Sequence, residues 1–285
     1  MKVIVAKNAG FCFGVKRAIK IALDAAKDGK VYTLGALIHN PPMVEKMRKK
    51  GVIAVNNFRL LNSKRVSDPT GSLTRRVIIP SHGISPEVLK KIKVKEIIDA
   101  TCPFVKKARN EAIKLSETCG QLIVVGDKKH PEIRGILPFL KGNIIVVKDA
   151  AEVPNKTFGL CGIMAQTTMS KDIFQKVVSK AKKKSKKLTV INTICDATRK
   201  RQLSTLKLLK SIDIIIVIGG HNSANTKRLL ELCLKNKKRA YQIENEKELK
   251  KEWFKDCERV GITAGASTPP WMIKRIKDKI QKIKK

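Results

Sequence analysis

With 285 residues, 42% of them hydrophobic, the chain can bury a substantial core, which excludes general disorder and leaves one large domain or two to three small ones. Its formal charge of +37 would attract polyanions, but only 4% of residues are aromatic, little material for the stacking platforms that bind single-stranded nucleic acid. Seven cysteines, an odd count without dense spacing, argue against a secreted disulfide scaffold and for a reducing compartment.

The chain opens on KVIVAKNAGFC, a β-rich run ending in Cys12 that Lys7 interrupts and that is too short for a signal peptide. A helical pattern follows, with apolar residues at Val15, Ile19, Ala22 and Leu23. VYTLG predicts a strand closing on Gly35, and His39 stands four residues further on. The basic stretch from Asn56 to Arg76 reads as a surface loop insertion, since loops tolerate length at little thermodynamic cost. VIIPSHG then predicts a strand running into a polar turn with His82.

EIIDATC reaches Cys102 and the order of elements begins again. The helix is marked by Val105, Ala108, Ala112 and Leu115, the strand LIVVG closes on Gly126, His130 and Glu132 follow, and GIMAQTT carries Thr167. A third copy runs from TVINTIC at Cys195 through IIIVIG at Gly219 to Ser223 and Asn225, then VGITAGAST with Ser267. From cysteine to glycine the separations are 23, 24 and 24 residues. Between the two polar positions (His39 to His82, His130 to Thr167, Ser223 to Ser267) they are 43, 37 and 44. The chain ends on an amphipathic basic tail, and the third copy lacks a closing strand that the first strand of the chain could supply.

This repeat predicts an α/β protein of three similar units, 1–101, 102–194 and 195–285, with parallel sheets in a pseudo-threefold ring. Ligands of parallel sheets gather beyond the carboxyl ends of strands, where every residue singled out above lies. Three thiolates converging there suit zinc or an iron–sulfur cluster, although the short C-x-x-C pairs usual for structural zinc are missing. A four-iron cluster on Cys12, Cys102 and Cys195 would leave one iron open to substrate. Cys119, Cys161, Cys233 and Cys257 share no repeat position and read as small buried hydrophobes.

Two polar groups would surround such a centre. His39, His82, Ser223, Asn225 and Ser267 offer donors suited to a phosphate or diphosphate. His130, Glu132 and Thr167 could form a proton relay if their loop turns them inward.

The motifs AGFCFGVKRAI, GALIHNP, SHGISP, DATCPFV, GDKKHPEIRG, AQTT, NTICDAT, HNSANT and TAGASTP span nearly the whole chain, which resembles the 4-hydroxy-3-methylbut-2-enyl diphosphate reductases of non-mevalonate isoprenoid synthesis. The resemblance implies a trefoil of three α/β domains around one oxygen-sensitive 4Fe-4S cluster bound by Cys12, Cys102 and Cys195. It also implies that His39, His82, Ser223, Asn225 and Ser267 hold an allylic diphosphate, that His130 and Thr167 lie nearer its hydroxyl, and that Glu132 donates the proton. Reduced ferredoxin or flavodoxin would supply two electrons, and isopentenyl and dimethylallyl diphosphate would be the products. Two positions depart from the family pattern: Ala224 replaces the second of two serines, and His221 replaces a lysine.

Competing readings are a non-redox iron–sulfur hydro-lyase and a basic nucleic-acid-binding protein; the latter leaves the threefold cysteine spacing unexplained. Lysine recurring between apolar positions, as in 180–187 and 274–285, is the pattern of a solvated helix face. The longest apolar run, Ile212 to Gly220, suits a buried strand and not a membrane span, so a soluble cytoplasmic enzyme is expected.

Overall fold

The computed structural model describes residues 1–38, 40–57, 61, 76–94 and 96–283. His39 and most of the basic 56–76 stretch lie outside the described residues. The chain divides into two compact units, one of Met1–Lys16, Ile38–Glu45 and Asp196–Lys285, the other of Arg17–Leu37 and Lys46–Cys195.

The first unit holds a four-stranded sheet in the order β1-β12-β10-β11, built from β1 (Lys2–Val5), β10 (Ile214–Ile218), β11 (Arg239–Ile243) and β12 (Arg259–Ala264). All of its pairings are parallel, with Val3 opposite Val260 and Ile216 between Tyr241 and Ile262. Its central strand is a continuous buried apolar run, as a parallel strand covered on both faces requires. On one face Ile214, Ile216 and Ile218 pack with Met272, Ile273, Ile276 and Ile280 of α9 (Pro270–Gln281). On the other, Ile215 and Val217 meet Leu208 and Leu209 of α7 (Asp196–Leu209) and Leu229 and Cys233 of α8 (Ala224–Lys235). Each such aliphatic side chain contributes about 1.5–3 kcal/mol on burial.

The second unit carries two further parallel sheets. One has the order β3-β2-β4-β5, from β2 (Val31–Leu34), β3 (Val52–Val55), β4 (Arg76–Ile79) and β5 (Glu96–Asp99). The other has the order β7-β6-β8-β9, from β6 (Gln121–Val125), β7 (Asn143–Val147), β8 (Phe158–Ala165) and β9 (Ser185–Ile191). Leu122, Val124 and Met164 pack on Ala108, Ala112 and Leu115 of α4 (Pro103–Thr118) and on Ile133 and Ile136 of α5 (Pro131–Ile136). The opposite face, with Ile123, Val125 and Ile163, is covered by Phe174, Val177 and Ala181 of α6 (Lys171–Lys182). Leu61, described between two stretches that are not, is buried with Tyr32, Val55 and Val77.

One topology is used three times. The first strand of each repeat lies between the second and third, and the fourth pairs with the third; in the first unit β1 takes that fourth place beside β12. A cysteine follows each fourth strand: Cys12 after β1, Cys102 after β5 and Cys195 after β9. Strand order reverses between the first and third strands, and the loops that leave such a switch point bear the ligand-binding groups of parallel α/β folds.

Candidate active site

Each cysteine sits where strand passes into helix. Cys12 precedes α1 (Phe13–Ala25), Cys102 is the N-cap of α4 with Pro103 at its first position, and Cys195 precedes α7. Thiolate is the form of cysteine that ligates metal. All three are partly exposed and none is in a disulfide.

Their backbones repeat a single contact. The Cys12 amide donates to the Ala266 carbonyl (3.2 Å), the Cys102 amide to that of Ser81 (2.9 Å) and the Cys195 amide to that of Thr167 (2.9 Å). Each acceptor lies in the loop after the third strand of the same sheet. That loop carries Ser267, His82 or Thr167 itself, so cysteine and polar residue are fixed together in every copy.

Cys233 is fully buried among aliphatic side chains and Cys161 nearly so, as expected of packing residues; Cys257 is fully buried too but its sulfur accepts from the Arg239 guanidinium at 2.8 Å, and Cys119 is partly exposed. Burial pushes the Cys233 thiol up to about 12. At pH 8 its thiolate fraction is therefore about 10⁻⁴, and iodoacetamide should label Cys233 far more slowly than Cys12, Cys102 or Cys195 in the native, metal-free protein. Peptide mass spectrometry reads the result, and equal labelling would contradict this packing.

Glu132 is only 2% exposed on α5 and meets a neighbour from β8's end. Thr167 donates its backbone N–H to Oε1 and its hydroxyl to Oε2, each at 2.7 Å. A buried carboxylate with both oxygens held this way is aimed in one orientation and does not wander among rotamers. His130 is the N-cap of α5, its Nδ1 accepting the Glu132 amide at 3.2 Å, while the carboxylate turns to Thr167. Gln166, fully buried and absent from the sequence reading, accepts the Asp127 amide and donates to the Thr168 hydroxyl, tying the two loops together. His82 lies nearby in the same unit, its carbonyl 3.6 Å from where a Cβ on Gly135 of α5 would stand.

In the first unit Ser223 caps α8, its hydroxyl accepting from the Thr226 amide, and Asn225 follows in the first turn. The Asn225 Nδ2 is buried and, among the described residues, has no hydrogen-bond partner. A buried amide donor without a partner costs about 1–3 kcal/mol and is what a bound anion would satisfy. The loop before it is held open by Gly219 at φ 151°, where a Cβ would come within 2.5 Å of Thr226 Oγ1. His221 gives its amide to Glu244 (2.6 Å) and its ring Nε2 lies 2.9 Å from Glu248, while Gln242 donates to the carbonyls of Gly219 and Gly220. Ala224 opens α8 and offers only backbone there.

Among the described residues no three His, Cys, Asp or Glu side chains cluster to chelate a single metal ion. A cluster makes a different demand, because each cysteine binds its own iron. Three cysteines outside any disulfide, each at the start of a helix, are donors of that kind.

Fold and site together define a class: an α/β protein of repeated parallel sheets with one cysteine beyond each fourth strand and a held carboxylate among the loops. The chain belongs to the LytB protein family, whose model matches residues 3–281. It is 43% identical over 289 residues to the 4-hydroxy-3-methylbut-2-enyl diphosphate reductase of Geobacter metallireducens, covering 99% of this chain and 98% of that one. To the enzyme of the same name from Geotalea uraniireducens it is 44% identical over 291 residues, covering 100% and 99%. Among solved structures it is similar to an (E)-4-hydroxy-3-methyl-but-2-enyl diphosphate reductase described as the terminal enzyme of the non-mevalonate pathway, at TM-score 0.67 and 41% identity over 99% of this chain and all of that one. The corresponding Plasmodium falciparum reductase superposes with TM-score 0.86 at 27% identity, covering 98% of this chain and 88% of that one.

Proposed function

We propose that this chain reduces 4-hydroxy-3-methylbut-2-enyl diphosphate to isopentenyl and dimethylallyl diphosphate, the last step of non-mevalonate isoprenoid synthesis. The observation that carries the reading is the repeated contact by which Cys12, Cys102 and Cys195 are each bonded to the loop bearing Ser267, His82 or Thr167. The threefold division of the chain, 1–101, 102–194 and 195–285, belongs to the same reading.

Cys12, Cys102 and Cys195 would hold one 4Fe-4S cluster, which when bound supplies an open iron for the substrate oxygen and a route for single electrons. The protein's own groups do the rest. The unsatisfied Asn225 amide, the Ser223 loop, Ser267, His82 and His39 bind the diphosphate and so fix the allylic alcohol. Glu132, oriented by Thr167, delivers a proton to the departing hydroxyl, with His130 beside it. Overall the C–O bond breaks, two electrons and two protons are consumed, and water leaves. The second proton enters at one end or the other of the allylic unit, giving the two products.

The electrons would come one at a time from reduced ferredoxin or flavodoxin, small acidic carriers whose approach a +37 protein would speed. We place the enzyme in the cytoplasm on the strength of an odd count of seven cysteines without dense spacing; no described helix is long and apolar enough to cross a membrane.

Anaerobic purification, iron and sulfide counting, and turnover of the diphosphate with a chemical reductant test the reading. Both products should form only when reductant is present. A protein that takes up no iron on reconstitution, or that turns substrate over without electrons as a hydro-lyase would, overturns it.

A further inference from the structure

Arg201, on the second turn of α7, is a charged side chain with 2% exposure that the reaction as described does not use. Its Nη2 donates at 2.7 Å to the carbonyl of Gly10, 191 residues away in sequence and two residues before Cys12. Nη1 reaches the Ala197 carbonyl of its own helix at 3.4 Å. One turn on, the Thr205 hydroxyl lies 2.8 Å from that of Thr263 and pins the same helix face to β12.

The segment that Arg201 grips has little freedom of its own. The amides of Gly10 and Cys12 donate to Ala264 and Ala266, so this stretch runs along the end of β12, and the Gly10 carbonyl between those two bonds is the one Arg201 takes. Gly10 has φ 87°, and a Cβ there would stand 3.0 Å from the Thr268 carbonyl and 2.9 Å from Ile273 Cδ1. The backbone is thus pinched between the β12 loop on one side and a guanidinium on the other.

We propose that Arg201 is a positioning residue for Cys12 and that its buried positive charge eases reduction of the cluster Cys12 would help to hold. The inference rests on the reading of Cys12 as a ligand. Two residues of chain span at most about 7 Å, so the guanidinium lies close to the Cys12 backbone. A cluster gains negative charge with each electron, and a cation shielded from water lowers the free energy of the reduced form more than an exposed one.

The test compares Arg201→Met and Arg201→Lys with the unaltered holoprotein after anaerobic reconstitution, reading the midpoint potential by redox titration with electron paramagnetic resonance. Arg201→Met should disfavour reduction at least tenfold, a shift of about 59 mV to more negative potential for one electron, whereas Arg201→Lys should stay near the original value. An unchanged potential in a cluster-bearing Arg201→Met protein overturns the electrostatic role. Amide hydrogen exchange across residues 6–12 in the metal-free proteins gives a second reading, and both variants should exchange faster there. Should Arg201→Met fail to fold, Arg201→Lys carries this comparison, and unaltered exchange overturns the positioning role. Unaltered protein that takes up no iron would instead refute the ligand reading of Cys12, and the exchange data would still judge Arg201.

Discussion

Cys102→Ser should abolish reductive turnover and leave the protein with sub-stoichiometric iron while its thermal unfolding changes little. Serine is among the better N-cap residues, so it keeps the start of α4, and the amide bond to the Ser81 carbonyl does not involve the side chain. What the substitution removes is the sulfur that would ligate iron, and a hydroxyl is a poor ligand in its place. Cys233→Ala provides the contrast. It deletes one buried sulfur from between α7, α8 and the sheet, and should cost about 1 kcal/mol of stability with turnover and iron content intact. Iron analysis, visible absorption and melting curves of the two variants read the difference, and full activity in Cys102→Ser would remove the cluster from the proposed function.

Glu132→Gln should lower kcat by about 10²–10⁴ with little change in KM for the diphosphate, the range that loss of a general acid produces. Glutamine fits the site: its carbonyl oxygen can still accept the Thr167 amide, and its NH₂ can face the Thr167 hydroxyl once that group rotates to accept. Shape and packing survive, and the proton does not. Thr167→Val should produce a milder loss in kcat by leaving Oε2 without its donor. Steady-state kinetics under anaerobic conditions distinguish these outcomes, and a Glu132→Gln enzyme within a factor of about three of normal would assign the proton to another group.

Much of this arrangement is legible in the sequence because it is repeated. Three cysteines at matched distances from glycines mark three strand ends, and ligands of parallel sheets gather there, so the positions of Cys12, Cys102, Cys195, His82 and Thr167 in loops after strands follow from the spacing alone. The Glu132–Thr167 pair is half legible. The repeat puts both in one group, yet the direction of the carboxylate depends on a short helix whose N-cap is His130, and no periodicity encodes that.

Arg201 was invisible for a different reason. It has no counterpart at the matching place after Cys102, and its partner is a backbone carbonyl 191 residues away, so neither spacing nor residue type announces it. Gln166 is similar, a buried amide joining two loops whose sequence signals are only those of turns. His39 and most of the basic 56–76 stretch lie outside the described residues.

The pairing of β1 with β12 sets an order of events during synthesis. β1 pairs with a strand 257 residues further along the chain, so during synthesis it must wait for β12 while the other two sheets can assemble around local strands. Long-range pairing of this kind is slow, and an apolar strand without a partner is a hazard until it is met. Of the three repeat cysteines Cys12 is thus made first and placed last. Metal offered before β12 is made would find Cys102 and Cys195 housed and Cys12 adrift, so that strand must be in place before all three can act as one.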